Sequence, residues 1–270
     1  MVLKEKKSTK IIIGNTVNKK DLDKLSKDSG KGKNKFDNYI IAYLDFLGFA
    51  EKMKEEESYE SLQIMKLLFY GAKSIADNIS CVNELNNFDI KIFSDNIVIA
   101  QKAEPKRIKD QIIGIVNLIG QIQFDALVYF GFLLRGGITY GELHIDNTIV
   151  WGAGLIDAYN IENNLANYPR VILSKQILKK YNLSRQESLN LHALIKEDAD
   201  GLCFVDYFMA SPNIKLIPKI AKVLKEIIKL YVHEPDRKKQ KVNWIVNHFN
   251  AYCLRVKDRG NYEKYIIPFI

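Results

Sequence analysis

The order of apolar segments over residues 39–138 constrains the fold of this chain more than any other feature of its sequence. Short β-rich runs alternate with two long stretches in which apolar side chains recur at helical spacing. Two of the β-rich runs are separated only by Ser94-Asp95-Asn96, which predicts a β-hairpin with Asp95 at its tip. The predicted elements are a strand over 39–44, a helix over 58–79, strands over 88–93 and 97–100, a helix over 105–130 and a strand over 132–138.

The order strand, helix, hairpin, helix, strand predicts an α/β (α+β) fold of the ferredoxin-like βαββαβ type. In this fold an antiparallel sheet carries helices on one face. We expect an interruption of the last strand at Gly136-Gly137, a turn near Gly141, and mainly helical C-terminal additions. The later predicted elements are a strand over 145–151, a helix over 155–167, a strand over 170–173, a helix over 175–181, a strand over 202–208, and helices over 214–232 and 236–256.

The charge of the chain is concentrated at its N-terminus. Residues 1–35 hold eleven lysines against four acids, which accounts for +7 of the formal net charge of +8. Such a segment has too little apolar surface to offset its ordering entropy, so residues 1–36 are predicted to be a basic, flexible tail. The domain itself is predicted over 37–270, with its core at 39–174 and a C-terminal strand and helices at 175–270. Because the domain is nearly charge-balanced, a nucleic-acid partner is not expected.

Cysteine usage and hydropathy bear on location. Cys81, Cys203 and Cys253 are widely spaced, which is typical neither of a CxxC metal motif nor of a disulfide framework. We found no signal-peptide pattern and no run of about 18 apolar residues, so neither secretion nor a membrane span is expected. The sequence therefore predicts a cytoplasmic protein.

Two aspartates stand at the ends of predicted strands. Asp45 follows the apolar run 39–44, and Asp95 lies at the tip of the hairpin. If these strands are neighbours, the two carboxylates meet at one edge, where they could hold Mg²⁺ or Mn²⁺ together with substrate phosphates. The alternative is structural: Asp45 as a helix N-cap and Asp95 as a turn residue.

The segment after Asp45 is a candidate phosphate cradle. We expect the strand to end at Asp45 and a helix to begin soon after it, so that backbone N–H groups face a bound triphosphate. The residues concerned are Phe46, Leu47, Gly48 and Phe49. The charged run 236–241 is interpreted as a solvated helix start, with phosphate binding from another subunit as the alternative.

Four motifs resemble those of class III adenylate and guanylate cyclases, over about residues 39–174. Residues 43–49, YLDFLGF, are similar to the first metal motif, and KIFSD at 91–95 is similar to the second, in which a lysine precedes the aspartate by four residues. LRGGITYG at 134–141 resembles the arginine-containing strand. Trp151-Gly152 with Ala158 and Glu162 resembles the segment that ends in the catalytic helix.

The resemblance implies roles for individual residues. It implies that Asp45 and Asp95 hold two Mg²⁺ or Mn²⁺ ions per active site, and that Lys91 faces the base. Arg135 is a candidate catalytic residue or a partner of a structural carboxylate. Asn160 stands where adenylate cyclases have a transition-state arginine.

Two further positions depart from the cyclase pattern. Ile149 and Ile156 replace a base-reading aspartate and a ribose-orienting asparagine, and an apolar side chain cannot make those hydrogen bonds. Either the alignment shifts by a residue or two, which brings Asp157 or Asn160 into use, or the chain reads another base with other groups.

The compact set of motifs on a short chain most resembles the pyrimidine cyclases of bacterial Pycsar antiphage defence. The resemblance implies a cyclase or palm core that makes cyclic UMP or cyclic CMP and pyrophosphate from UTP or CTP. It also implies a homodimer with active sites at the subunit interface and a separately encoded effector that senses the product. Two other hypotheses are a catalytically silent nucleotide-binding or dimerisation module and a palm-type cyclic-oligonucleotide synthase.

Overall fold

The computed structural model describes residues 36–48, 58–82, 87–180, 194–210 and 213–270. Asp37–Ile270 form one compact unit. The predicted tail lies outside the described residues except for Phe36, so its flexibility stays a prediction. The strands are β1 (Asp37–Leu47), β2 (Asp89–Phe93), β3 (Asn96–Lys102), β4 (Leu133–Ile145), β5 (Val150–Trp151), β6 (Val171–Leu173), β7 (Ile195–Glu197) and β8 (Cys203–Val205). The α-helices are α1 (Ser58–Val82), α2 (Ile108–Phe130), α3 (Ala153–Leu165), α4 (Lys175–Lys180), α5 (Tyr207–Ala210), α6 (Ile217–Tyr231) and α7 (Asp236–Arg255).

The predicted ferredoxin-like core is confirmed. The strand order begins β2-β3-β1-β4, and each of these neighbouring pairs is antiparallel. β6 then joins β4 in parallel, and β8 and β7 extend the sheet beyond it, while β5 pairs with β4. The C-terminal additions therefore lengthen the sheet as well as adding helices.

Apolar residues are buried on both faces of the sheet. On one face, alternate residues of β1 such as Ile40, Ala42 and Leu44 join the main core with residues of α1 and α2. On the other face, Ile41 joins a smaller cluster with Ala158 of α3. A third cluster joins the C-terminal half of α2 to α5, α6 and α7. β1 is therefore covered on both sides, which explains its nearly continuous apolar sequence.

Helix α2 has the length and composition of a membrane span, but most of its apolar window is buried inside the fold. Burial of this kind is typical of the core helix of a globular domain.

Two predicted strand ends are wrong. β1 continues past Asp45 to Leu47, and β4 runs unbroken through Gly136, Gly137 and Gly141. The reason is that β1 and β4 pair along their whole shared length, from Asp37–Leu143 to Leu47–Leu133. The glycines are packing positions, because a Cβ on Gly137 would lie 2.6 Å from the Ala158 carbonyl oxygen of α3.

The sequence also missed structure near the C-terminus. β7 was not predicted, and the predicted strand over 202–208 is only Cys203–Val205, followed by the short helix α5. Asp206 ends β8 by accepting backbone hydrogen bonds from Met209 and Ala210, which start the helix.

Candidate active site

The structure brings Asp45 and Asp95 together at the end of the β1/β3 ladder. Asp45 pairs with Asn96, the first residue of β3, and the N–H of Phe46 donates to the carbonyl of Asp95 at 3.2 Å. Burial is the main cause of the raised pKa values of Asp45, Tyr43 and Glu162, and the negative charge of Asp95 adds a smaller upward effect at all three. The backbones of the two aspartates are therefore adjacent at this edge of the sheet, and the convergence of their carboxylates on shared metal ions stays a prediction.

Arg135 of β4 holds two carboxylates at this site. It lies directly opposite Asp45 in the β1/β4 pairing. Its Nε donates to Asp45 Oδ2 at 2.8 Å, and its Nη2 forms a salt bridge with Glu162 Oε1 of α3 at 2.7 Å. Arg135 therefore orients Asp45 and links α3 to the sheet. This matches the second of the two roles that the sequence analysis gave it, the partner of a structural carboxylate.

Close packing of α3 on β4 makes this bridge possible. Gly137 and Gly141 face the helix, and the Cβ of any other residue at Gly141 would lie 2.8 Å from the Cα of Gly154. Along the same helix, the ring of Tyr159 meets the ring of Tyr43 edge-on at 5.5 Å. The glycines of the LRGGITYG motif thus bring α3 within reach of Arg135.

Burial raises the pKa values of the acidic side chains at the site. Burial raises the pKa of Asp45, Arg135 lowers it through its hydrogen bond and charge, and the net direction is upward. Burial likewise raises the pKa of Glu162, whose side chain is only 4% exposed. Burial and the neighbouring carboxylates raise the pKa of Tyr43 to about 12. Negative charge is therefore crowded into a partly desolvated corner, which favours the binding of cations.

Lys241 lies near this site, although the sequence analysis considered the run 236–241 for phosphate binding only from another subunit. Lys241 of α7 is half-buried, and its pKa is lowered by burial and by the charges of Arg135 and Arg237, against the opposing effect of Asp45. The positive charge of Lys241 lowers the pKa of Glu162, against the larger upward effect of burial. The predicted solvated helix start agrees with the exposed Asp236, Arg237 and Gln240, whereas Lys241 at its end is partly buried.

The predicted phosphate cradle is only partly supported. The N–H of Phe46 is used in its bond to Asp95, and its ring is buried against Phe132, so it does not offer a free amide to phosphate. Leu47 also belongs to the sheet, because β1 continues through it. Gly48 follows in a left-handed conformation (φ +76°) that glycine adopts readily. Phe49 lies outside the described residues.

Of the two remaining predicted site residues, Lys91 lies on the sheet face of Asp45, whereas Asn160 lines another pocket. Lys91 of β2 pairs with Val98, which pairs with Tyr43, so alternation places Lys91 on the face of the sheet that carries Asp45. Within the described residues, Asn160 makes no hydrogen bond with Asp45, Asp95 or Glu162. It lines a separate shallow pocket with polar residues that include Thr139, Asp157 and Ser174.

The two carboxylates are the type of ligand that a hard divalent cation takes. Within the described residues, no group of three or more His, Cys, Asp or Glu side chains is placed to hold a metal. Asp45 uses Oδ2 to bind Arg135, and Asp95 uses Oδ1 to accept a bond from Asn96 at 3.1 Å, so each keeps one oxygen without a hydrogen-bond partner in the described parts of the chain. Magnesium typically takes one or two protein carboxylates and completes its shell with water and phosphate.

No family model matches this chain, and no curated protein matches it. Among solved structures it is similar to a monomeric guanylyl cyclase domain of the RhoGC fusion protein from the aquatic fungus Blastocladiella emersonii (TM-score 0.48, 10% identity, covering 64% of this chain and 96% of that one). It is also similar to the guanylate cyclase domain of RhGC from Catenaria anguillulae in complex with GTP (TM-score 0.44, 12% identity, 63% and 95%). A third is a class III adenylyl cyclase-like ATP-binding protein from Pseudomonas aeruginosa (TM-score 0.41, 9% identity, 65% and 40%). With TM-scores below 0.5, these similarities assign no activity to this chain.

Proposed function

We propose that this protein is a nucleotide cyclase that converts a nucleoside triphosphate into its 3′,5′-cyclic monophosphate and pyrophosphate. One observation carries the proposal. Asp45 in β1 and Asp95 in the turn between β2 and β3 have adjacent backbones at one edge of a βαββαβ sheet, and each keeps a carboxylate oxygen that accepts no hydrogen bond within the described residues. Two aspartates placed at one sheet edge beside a cation such as Arg135 suit metal-assisted phosphoryl transfer better than they suit capping or turn duty.

In this proposal Asp45 and Asp95 hold two Mg²⁺ or Mn²⁺ ions. When bound, the metals lower the pKa of the attacking 3′-hydroxyl and neutralise the triphosphate oxygens. Arg135 has a positioning role. It fixes the Asp45 side chain from one side, and Glu162 holds the guanidinium in place from the other. The carboxylate is thereby pre-oriented before substrate binds.

Substrate choice and biological role form the finer part of the proposal. The motifs favour UTP or CTP, and a cyclic pyrimidine nucleotide would act on a separately encoded effector in cytoplasmic antiphage signalling. Lys91 is the candidate base-facing residue, because it shares the sheet face of Asp45 at the strand next to β3.

The proposed active form is a homodimer. On and beside α3, large apolar side chains are exposed, namely Ile149 (51%), Trp151 (67%), Ile156 (59%) and Tyr159 (43%). Asn160 lies on the same helix, outside the carboxylate cluster of its own chain. A second copy packed on this surface would bury the apolar residues and bring its Asn160 toward a substrate held at Asp45.

Product analysis tests the activity. The purified chain is incubated with UTP, CTP, ATP and GTP and Mn²⁺, and the products are identified by mass spectrometry. We expect a cyclic mononucleotide and pyrophosphate, with Asp45→Asn and Asp95→Asn each reducing the rate by at least about a hundredfold, since each removes a metal ligand. Turnover of none of the four triphosphates would leave a silent binding module, and a cyclic dinucleotide product would favour the oligonucleotide synthase.

Mixing variants tests the interface. Asp45→Asn and Asn160→Ala proteins are each assayed alone and then together. If one active site takes residues from both chains, the mixture regains part of the activity, because some heterodimers carry one intact site. An inactive mixture that sizes as a dimer would contradict the shared site.

A further inference from the structure

Helix α7, outside the βαββαβ core, shares an apolar cluster with the ends of β1 and β4 next to Asp45 and Arg135. Its residue Val242 is fully buried in the same cluster as Leu133, and Leu47 packs against that cluster. Leu47 and Leu133 are paired across β1 and β4, two positions beyond the pair formed by Asp45 and Arg135. Lys241 directly precedes Val242, so the packing of α7 itself brings this lysine to the site.

The orientation of α7 is fixed by two further contacts on one face. Lys241, Trp244 and His248 follow a spacing of three and four residues, which puts them on the same side of a helix. Trp244 Nε1 donates to Asp198 Oδ2 at 2.7 Å, and His248 Nε2 lies 3.2 Å from Asp206 Oδ1. These contacts hold the face that carries Lys241 against the sheet.

The charge of Lys241 is not matched by a nearby partner of its own. It forms no salt bridge with any other residue in the described ranges, whereas Arg135 is engaged by both Asp45 and Glu162. The neighbouring charges from α7 are the cations Arg237 and Lys238, and Lys238 pairs with Glu234 at 2.9 Å. Once a metal takes the charge of Asp45, the half-buried ammonium requires another anion.

We infer that Lys241 binds the β- and γ-phosphates of the nucleoside triphosphate, from the same chain that supplies Asp45. This inference rests on the proposed function. A polyphosphate is the anion that fits, because it is the part of the substrate that metals at Asp45 and Asp95 would draw into this corner. The aromatic and apolar surface near Tyr43 suits the nucleoside instead. α7 would thus be a substrate-binding element rather than a purely structural addition.

Binding measurements separate this role from a structural one. Wild type, Lys241→Met, Lys241→Arg and the control Lys239→Met are titrated, with Mn²⁺ present, with α,β-methylene analogues of the four triphosphates and with the matching monophosphates. We expect Lys241→Met to weaken binding of the triphosphate analogue by about 10- to 100-fold, which is the range for a lost charge-assisted bond. Its affinity for the monophosphate should stay within about twofold of wild type. Lys241→Arg should recover most of the loss, and Lys239→Met should match wild type.

The possible outcomes distinguish the two proposals. Unchanged triphosphate affinity in Lys241→Met, or an equal loss for triphosphate and monophosphate, overturns the role of Lys241 while wild-type turnover leaves the cyclase proposal intact. If Lys241→Met selectively loses affinity for the triphosphate analogue, while the wild-type protein binds triphosphates but does not cyclise them, the result supports the role of Lys241 and contradicts the cyclase proposal. A wild-type chain that binds no triphosphate overturns both.

Discussion

The clearest test of the site is Glu162→Gln, a change that keeps the volume of the side chain and removes its charge. Glu162 is nearly buried, and its carboxylate is one of two that compensate Arg135. Breaking a buried ion pair by neutralising one partner typically costs about 3–5 kcal/mol. For a domain of this size such a loss corresponds to a decrease in Tm of roughly 6–20 °C.

The same variant should bind metal more weakly. Without Glu162, the guanidinium of Arg135 is compensated by Asp45 alone, and the corner loses one negative charge. A unit charge roughly 10 Å away contributes on the order of 1–2 kcal/mol at an effective dielectric constant of about 20. We therefore expect the Mn²⁺ concentration for half-maximal activity to increase by about tenfold.

Thermal unfolding and metal titration of product formation measure the two effects separately. Glu142→Gln is the matched control, because Glu142 is an exposed glutamate on β4, the strand that carries Arg135. A decrease in Tm without a change in metal requirement would refute the electrostatic argument and leave Glu162 as a structural residue. If neither quantity changed, the bridge through Arg135 would have no energetic role.

Two further predictions concern the scaffold. Gly137→Ala should destabilise the protein by about 1–3 kcal/mol, because its Cβ would lie 2.6 Å from Ile161 of α3. The control Gly71→Ala on α1 meets no atom within 4 Å and should be neutral or stabilising. Urea denaturation measures the free energy of unfolding of both variants. Burial raises the pKa of Asp206, but His248, Arg255 and Lys196 together outweigh it, so the net direction is downward. The resulting stability is present above the unfolded-state pKa of about 4 and is lost as pH falls through the folded-state pKa, so Asp206→Asn should be less stable than wild type at pH 7 and differ less at pH 3. An equal difference at both pH values would contradict this.

The sheet core could be predicted because its signals are local. An apolar run as short as that of β1 has to be a strand covered on both faces, and Ser94-Asp95-Asn96 leaves little choice but a tight turn, in which Ser94 takes a positive φ of 56°. These two local features were enough to predict that Asp45 and Asp95 lie at one edge.

The glycines of β4 show where local signals mislead. Gly136, Gly137 and Gly141 indicate a break when only the strand is considered, because glycine has low strand propensity. Their physical reason is tertiary: Gly137 and Gly141 give α3 room to approach, and a Cβ on Gly136 would lie 2.3 Å from the carbonyl oxygen of Tyr43. The cost of glycine in the strand is offset by the contacts of α3, and those contacts are not written in the strand itself.

Lys241 illustrates the same limit for the site. Its sequence neighbours, Lys238 to Gln240, are charged or polar and are typical of a solvated helix start. What distinguishes Lys241 is the residue that follows it, since Val242 begins the buried stripe of α7 and is packed with the end of β4. A charged residue at the border of an apolar stripe must lie at the edge of whatever surface that stripe covers. Here that surface is the end of the sheet that carries Asp45 and Arg135, so the docking of α7 brings a lysine of unremarkable sequence toward those two side chains.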